Sequence, residues 1–542
     1  MTADTGLFAA MCKPMEKNEK IRRSAVLGAG ACVYALLFAL GSQVDAGGVT
    51  QAEETVRRFA LALLPALGVL YALWRYVMPR LEVRRQEGKM PKVRFAFGVF
   101  AFLVCCYVPL MLVEYPGSFM YDTQRQVFQI ARNEYEMFHP LAHTLLIRVC
   151  LSLYDVLNSF EKCAAVYSLV QILLVAFCFS QVTVSVSRMC GKRASIMTAL
   201  FFGLYPAHMA FASNCTKDGL FSAFFALFFA LCMEEILLGG MHTARRGLWL
   251  TAGVLMCLMR NNMIYAAAAW VILLIPFARR FWRAALCTAL AIVLSLGVNA
   301  GLQRATNAKD GSKIEMLSVP IQQLSRARLY APECFTEDEK ALMDLVFVDA
   351  IYDKQGYLYE RYTPTLADPV KNYLDEALVL ECFDDLARMW LNVGHKCPGI
   401  YLDAFLNLAL PSLYPYSEYR VAQPYIEVGI QPGVVTAPFG QPPMMQPGRF
   451  EGIRNWIYEH IYSTGMDDVP VLRLLFNTGF IYWVLLMIVL YELYSGNGVR
   501  FMLLLLPVML WGTYLLGPVM QGRYLYPFIC VLPLFSLRPK KN

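Results

Sequence analysis

Charge is scarce in this chain. Only 16% of its 542 residues are Asp, Glu, Lys or Arg, against 57% hydrophobic, where soluble proteins carry about a quarter charged residues. That scarcity, together with long uncharged apolar runs, excludes a water-soluble globular protein. About twenty apolar residues cross a hydrocarbon core of about 30 Å, and the chain holds many such runs. The net charge of +7 falls in short clusters between them, which argues against nucleic-acid binding and for membrane topology. A cleavage site is missing after the first run, so that run is expected to stay as a start-transfer helix. Metal-ligand cysteine spacing is missing too. Most of the 16 Cys lie inside apolar runs, as Cys32, Cys105, Cys106 and Cys178 do, and act there as small hydrophobes. Only Cys334, Cys382 and Cys397 are placed for a disulfide. No internal repeat and no matched pair of interrupted helices marks an inverted-repeat transporter.

What is present reads as an all-α polytopic membrane protein of about 12 transmembrane helices. Candidate spans lie at 24–41, 59–78, 94–113, 163–187, 194–212, 218–238, 247–260, 263–278, 282–300, 469–494, 499–517 and 524–538. The basic clusters at the N-terminus, 79–94, 188–193, 242–246, 278–283 and 538–541 all fall on the cytoplasmic side if both termini are inside. This threading requires that 139–157 does not cross. It carries His143, Arg148 and Asp155 and is expected to lie as a helix at the outer interface. The chain then divides into an N-terminal segment with two extra spans (1–93), a membrane core with a first outer loop at 114–162 (94–300), an extracytoplasmic region (301–468) and C-terminal spans (469–542). The region 301–468 is expected to be helical and irregular. It has a capped helix at 336–347 with Thr336 as N-cap and Glu339 at N3, and a second helix through 370–394. An interfacial or re-entrant helix follows at 399–415, and then a Pro- and Gly-rich loop at 431–448.

The same threading gathers polar residues at helix mouths on the outer face. Asp122, in "SFMYDTQRQ", can serve as a general base toward a hydroxyl, or simply cap the helix that starts after it. Gln126, His139 and His143 are candidates for the same mouth. The two histidines, four apart, face one side of a helix and by themselves are too few for a metal site. In "TKDGLF", Lys217 can take a phosphate, with Asp218 as a second carboxylate or a helix N-terminal acid. Arg260 and Asn261, in "LMRNNMIY", break an otherwise continuous apolar stretch; a guanidinium inside a membrane costs about 2.5–3.5 kcal/mol at mid-depth and less at the rim. There it can grip phosphate oxygens in bidentate fashion. Arg523 and Tyr524, in "QGRYLYP", are either an aromatic belt with an anchoring Arg or part of the same site. Gln322, Gln323, Arg326 and Arg328, in "VPIQQLSRARLY", open the outer region and are either candidates for the same pocket or one face of an amphipathic surface helix.

Taken in order, "YPGSFMYDTQRQ…HPLAHTLL", "TKDGLF", "RNN", "VPIQQLSR" and "GRYLYP" resemble a bacterial family of the GT-C superfamily of polytopic membrane glycosyltransferases. The resemblance runs from about residue 95 to the C-terminus. It implies transfer of a sugar from a polyprenyl-phosphate donor to a glycan, lipid or protein acceptor at the outer face of the cytoplasmic membrane. It implies Asp122 as the base, and Lys217, Arg260 and Arg523 as phosphate ligands. Inversion at the sugar carbon follows from a single displacement. Tyr121 and Thr123 flank Asp122, a departure from the family's paired-acid pattern that leaves dependence on a divalent cation such as Mg or Mn open. Rival readings are a transporter or flippase of lipid-linked glycan, a polymerase or ligase of such glycans, and a non-catalytic assembly protein.

Overall fold

A computed structural model describes residues 17–45, 49–84, 91, 93–119, 121–349, 356–416, 450–457, 459–460, 477–536 and 538–540. The expected loop at 431–448 and the start of the expected span 469–494 lie outside them. The described chain is helical. Its only sheets are two short parallel pairs: β1 (Glu82–Arg84) with β4 (Arg538–Lys540), and β2 (Ser118–Phe119) with β3 (Asn214–Cys215).

In chain order the helices used below are α1 (Lys17–Val44), α2 (Ala52–Ala72), α3 (Val93–Val113), α4 (Tyr121–Arg132), α5 (Leu141–Leu151), α6 (Phe160–Cys190), α7 (Lys192–Leu204), α8 (Pro206–Ser213), α9 (Lys217–Leu238), α10 (Thr243–Met259), α11 (Asn262–Leu274) and α12 (Ala278–Thr306). The region 301–468 adds α13 (Ser318–Tyr330), α14 (Glu337–Val346), α15 (Phe383–Lys396) and α16 (Pro398–Leu413). The chain ends with α17 (Thr478–Ser495), α18 (Gly498–Leu515) and α19 (Tyr526–Ser536).

Among the described residues eight helical stretches are long and apolar enough to cross a membrane, or nine if the α7–α8 pair, bent by 58°, is one broken span. The protein is an all-α membrane protein. Many large apolar side chains of these helices face outward, among them Leu64, Phe97, Met197 and Val293, a sheath that water would not tolerate. These helices do not establish the expected count of 12 spans. The runs at 263–278 and 282–300 are α11 and α12, which pack against each other across a 3-10 turn at Ile275–Phe277; together they form a stretch of 45 residues, Asn262–Thr306, about 67 Å long and about twice a crossing. Helix α10 has 17 residues, and at 1.5 Å per residue it reaches about 26 Å. Helix α5 has 11 residues, about half a crossing.

Helix α9 is the centre of the bundle. Every residue from Asp218 to Glu235 is buried, and it packs on α6, α10 and α19. Its 22 residues span about 33 Å, and charge is confined to its two ends. At one end Glu234 is fully buried and pairs with Arg188 and with Arg245 at 2.5 Å, while Glu235 meets Arg283 at 2.6 Å and Arg246 at 3.5 Å. Lys217 and Asp218 stand at the other end.

Helices α1 and α2 pack together, and α1 also packs on α16 and α17, so the N-terminal pair is built into the bundle. Tyr34 donates to the Trp483 carbonyl at 2.5 Å. In the outer region the Thr336–Glu339 capping box is present. The expected helix over 370–394 is instead three pieces, Asp368–Lys371, Glu376–Glu381 and α15. The break has a local cause: the Asp375 carboxylate accepts from the backbone N–H of Ala377 and Leu378 and starts a new helix. Cys334, Cys382 and Cys397 are free thiols.

Candidate functional site

Three chain segments form the frame. Strand β2, just before α4, pairs with β3, just before α9, and the Thr123 hydroxyl donates to the Cys215 carbonyl at 2.5 Å. This brings the N-termini of α4 and α9 together. Two close approaches make it work. Gly117 has φ +108, and a Cβ there would sit 2.9 Å from the Ser213 carbonyl. A Cβ on Gly219 would sit 2.5 Å from the Phe211 carbonyl. Both positions need glycine. The third segment is the turn Gly522–Tyr524 between α18 and α19.

Five charged side chains converge on this frame. Lys217 Nζ contacts Asp122 Oδ2, and Arg523 Nη1 lies 2.8 Å from the same oxygen. Arg523 Nη1 is also 3.7 Å from Asp218 Oδ2, and Arg260 pairs with Asp218 Oδ1. Arg260 sits over the rings of Tyr514 and Tyr524, with its guanidinium carbon 4.7 and 4.5 Å from their centroids. Three cations thus meet two carboxylates, all of them at least mostly buried, and one positive charge is left over. Burial pushes the Asp122 carboxyl up, but Lys217 and Arg523 together hold it well below the usual carboxylate range. Asp122 lies within the first turn of α4, so it does not act as the cap ahead of the helix.

His139 faces the same cluster. Burial, and then Lys217, bring it down to about 3, so it is neutral at physiological pH. Its Nε2 is buried and takes no hydrogen bond from the protein.

His143 and Gln126 are placed differently from the expectation that they bind substrate. Both are fully enclosed, and they form a chain that holds α4. Gln171 Nε2 donates to the carbonyls of Phe211 at 2.9 Å and Ala212 at 3.2 Å, and Tyr167 OH donates to Gln171 Oε1 at 2.7 Å. His143 lies between Tyr167 OH at 2.7 Å and Gln126 Oε1 at 2.8 Å, and Gln126 Nε2 donates to Thr144 at 2.8 Å. Gln126 is one turn beyond Asp122, so this network orients the helix that carries the acid. Burial pushes His143 down to about 3.

Asn261 is exposed, with its amide 3.5 Å from the Met137 carbonyl. The neighbouring Asn262, which sequence reasoning passed over, accepts from Arg260 Nε at 3.1 Å and donates to Thr513 at 2.9 Å. Gln323 turns away from the cluster, between Tyr401 O at 3.2 Å and Trp390 Nε1 at 2.8 Å. Gln322 donates to the Thr363 carbonyl at 2.8 Å, in a segment whose Ala367 N–H donates to the Pro518 carbonyl at 2.8 Å, close in sequence to Arg523.

A family of unknown function, DUF6020, matches residues 135–541, about three quarters of the chain, including Lys217, Arg260 and Arg523. The chain belongs to the DUF6020 family. No curated protein and no solved structure matches it. In this DUF6020 chain both carboxylates of the cluster already carry cationic partners. Among the described residues no three His, Cys, Asp or Glu come together to hold a metal. The donor set as built therefore does not fit a divalent cation. It suits an anion that can share the cations with the carboxylates.

Proposed function

We propose that this DUF6020 protein is a membrane glycosyltransferase that moves a sugar from a polyprenyl-phosphate donor to an extracytoplasmic acceptor. The observation that carries the proposal is the convergence of Lys217, Arg260 and Arg523, from three distant segments, on Asp122 and Asp218 beside the unpaired His139 Nε2. In this reading the cluster lies at the outer headgroup level, with both termini cytoplasmic and the basic loops inside. A prenyl tail stays in the bilayer, which fixes its phosphate at the depth of a helix mouth.

The ion pairs give a sequence of events. With two cations on one oxygen, Asp122 is a weak base. An arriving phosphate competes for Lys217 and Arg523, and as they turn to it the carboxylate loses its counter-ions while remaining buried. Its proton affinity then rises. The acceptor hydroxyl gives its proton to Asp122, its oxygen bonds to the anomeric carbon, and the carbon–oxygen bond to the phosphate breaks on the opposite face. Negative charge collects on the departing polyprenyl phosphate, where Lys217, Arg260 and Arg523 stabilise it. His139, neutral, is available to hydrogen-bond a sugar or phosphate oxygen. The configuration inverts.

The test uses purified wild type with radiolabelled polyprenyl-phosphate sugars, beside Asp122→Asn and Arg260→Ala. Release of sugar by wild type alone, even onto water, supports the reading. A wild type that neither turns over nor binds any donor overturns it.

A further inference from the structure

A second buried polar group lies between α13 and α16, away from the ion cluster. Gln322, Ser325, Arg326, Asp403 and Asn407 are each at most 4% exposed. Their spacing puts Gln322, Ser325 and Arg326 on one face of α13, and Asp403 and Asn407 one turn apart on α16. The two helices pack together, and Arg326 Nη2 comes to 3.9 Å from Asp403 Oδ2.

Four of the five are anchored by one part and unpaired at another, and the fifth, Ser325, is unpaired at its hydroxyl. The Gln322 amide nitrogen donates to the Thr363 carbonyl, yet its Oε1 accepts nothing from the protein. Asp403 Oδ1 accepts from Thr50 N at 3.0 Å and Thr50 Oγ1 at 2.5 Å, while Oδ2 has no hydrogen bond. Asn407 donates to the Asp403 carbonyl at 2.7 Å, and its Oδ1 is unpaired. Arg326 Nη1 donates to Tyr362 OH at 3.1 Å, and its Nε is unpaired, as is Ser325 Oγ. Buried polar atoms normally have partners. Five rigidly held ones in one helix interface point to a ligand.

The unpaired atoms define its chemistry. Three of them only accept, Arg326 Nε only donates, and the Ser325 hydroxyl does either. An anion would meet the Asp403 carboxylate, and a metal cation would meet the guanidinium beside it. A neutral molecule with several hydroxyls, each both donor and acceptor, satisfies the set. We infer that α13 and α16 form a carbohydrate subsite. It is linked through Thr363, Ala367 and Pro518 to the chain segment that leads into Arg523; its assignment to the acceptor side rests on the transferase reading alone.

The test measures binding of maltose, cellobiose and N,N′-diacetylchitobiose to the purified full chain by calorimetry, with hydrogen exchange of the same complexes. The expected result is binding of at least one disaccharide, new protection confined to 318–330 and 398–413, and affinity about tenfold weaker in Asn407→Leu. Protection elsewhere, or a variant that binds as wild type does, overturns the subsite. So does a wild type that binds none of the three, which would leave water as the only partner of these atoms. Should Asn407→Leu fail to fold, the exchange pattern of wild type decides alone. A wild type that releases donor sugar onto water but binds no disaccharide refutes the subsite and keeps the transferase reading; the reverse result refutes the transferase reading and keeps a carbohydrate site.

Discussion

Asp122→Asn separates a base from a mere counter-ion. Wild type has three cations against two carboxylates, and the substitution leaves three against one. Breaking a buried ion pair costs about 3–5 kcal/mol. The side chains of Asp122, Lys217 and Arg523 retain 9–13% exposure, which places the cost near the lower end, about 3 kcal/mol. Loss of a general base lowers turnover by about 10²–10⁴, but loss of stability lowers it as well. Adding Lys217→Met to Asp122→Asn brings the excess charge back to that of wild type, so most of the stability returns. Thermal unfolding of the purified protein and release of labelled sugar are measured in wild type, both single variants and the double variant, a cycle that isolates the coupling. The expected outcome is a double variant nearly as stable as Lys217→Met and at least 10²-fold slower. If the double variant turns over donor as fast as Lys217→Met alone, Asp122 is a counter-ion and the base assignment fails.

Acidification from pH 7 to pH 5 should destabilise the protein through His139 and His143. Their folded values near 3 lie below the unfolded value of about 6.5, so the stability they contribute is complete above pH 6.5 and is lost as pH falls below it, by about 2 kcal/mol each at pH 5. Asp122, depressed in the folded state, contributes nothing to that slope and loses its share only below about pH 3.9; His143→Gln should lessen the fall in unfolding temperature between pH 7 and 5. Arg245→Met, which removes the 2.5 Å partner of the fully buried Glu234, should cost about 3 kcal/mol in thermal unfolding, and adding Glu234→Gln should recover much of it. Gly219→Ala forces a methyl against the Phe211 carbonyl, so stability should drop by about 1–3 kcal/mol and donor turnover should fall further, because the displaced turn carries Lys217 and Asp218.

The site was partly legible in the chain. Arg260 stood out because it interrupts an apolar stretch, where charge is expensive, and Lys217, Arg523 and Asp122 because they are charges in short polar segments at helix mouths. Gln126 and His143 could not be told from ligand-binding groups, since their partners Tyr167 and Gln171 lie within an apolar helix that gave no sign of a hydrogen-bond chain. Asn262 lost to Asn261 because adjacent positions on a helix start differ by about 100° of rotation, and no local signal fixes which one points inward. Asp403 and Asn407 were hidden in an apolar stretch that read as a simple interfacial helix.

The sequence alone determined the solvent. Its shortage of charge and its apolar runs dictate a helical membrane protein, and its local signals dictate individual features such as the Thr336–Glu339 capping box. Only the tertiary structure decided which charges meet. Lys217 and Asp122 are 95 residues apart, and Arg523 and Asp122 are 401 apart. Hydropathy and local propensity act over a few turns of chain, whereas these pairs exist only because helix packing and two glycine contacts bring separate helix ends to one point.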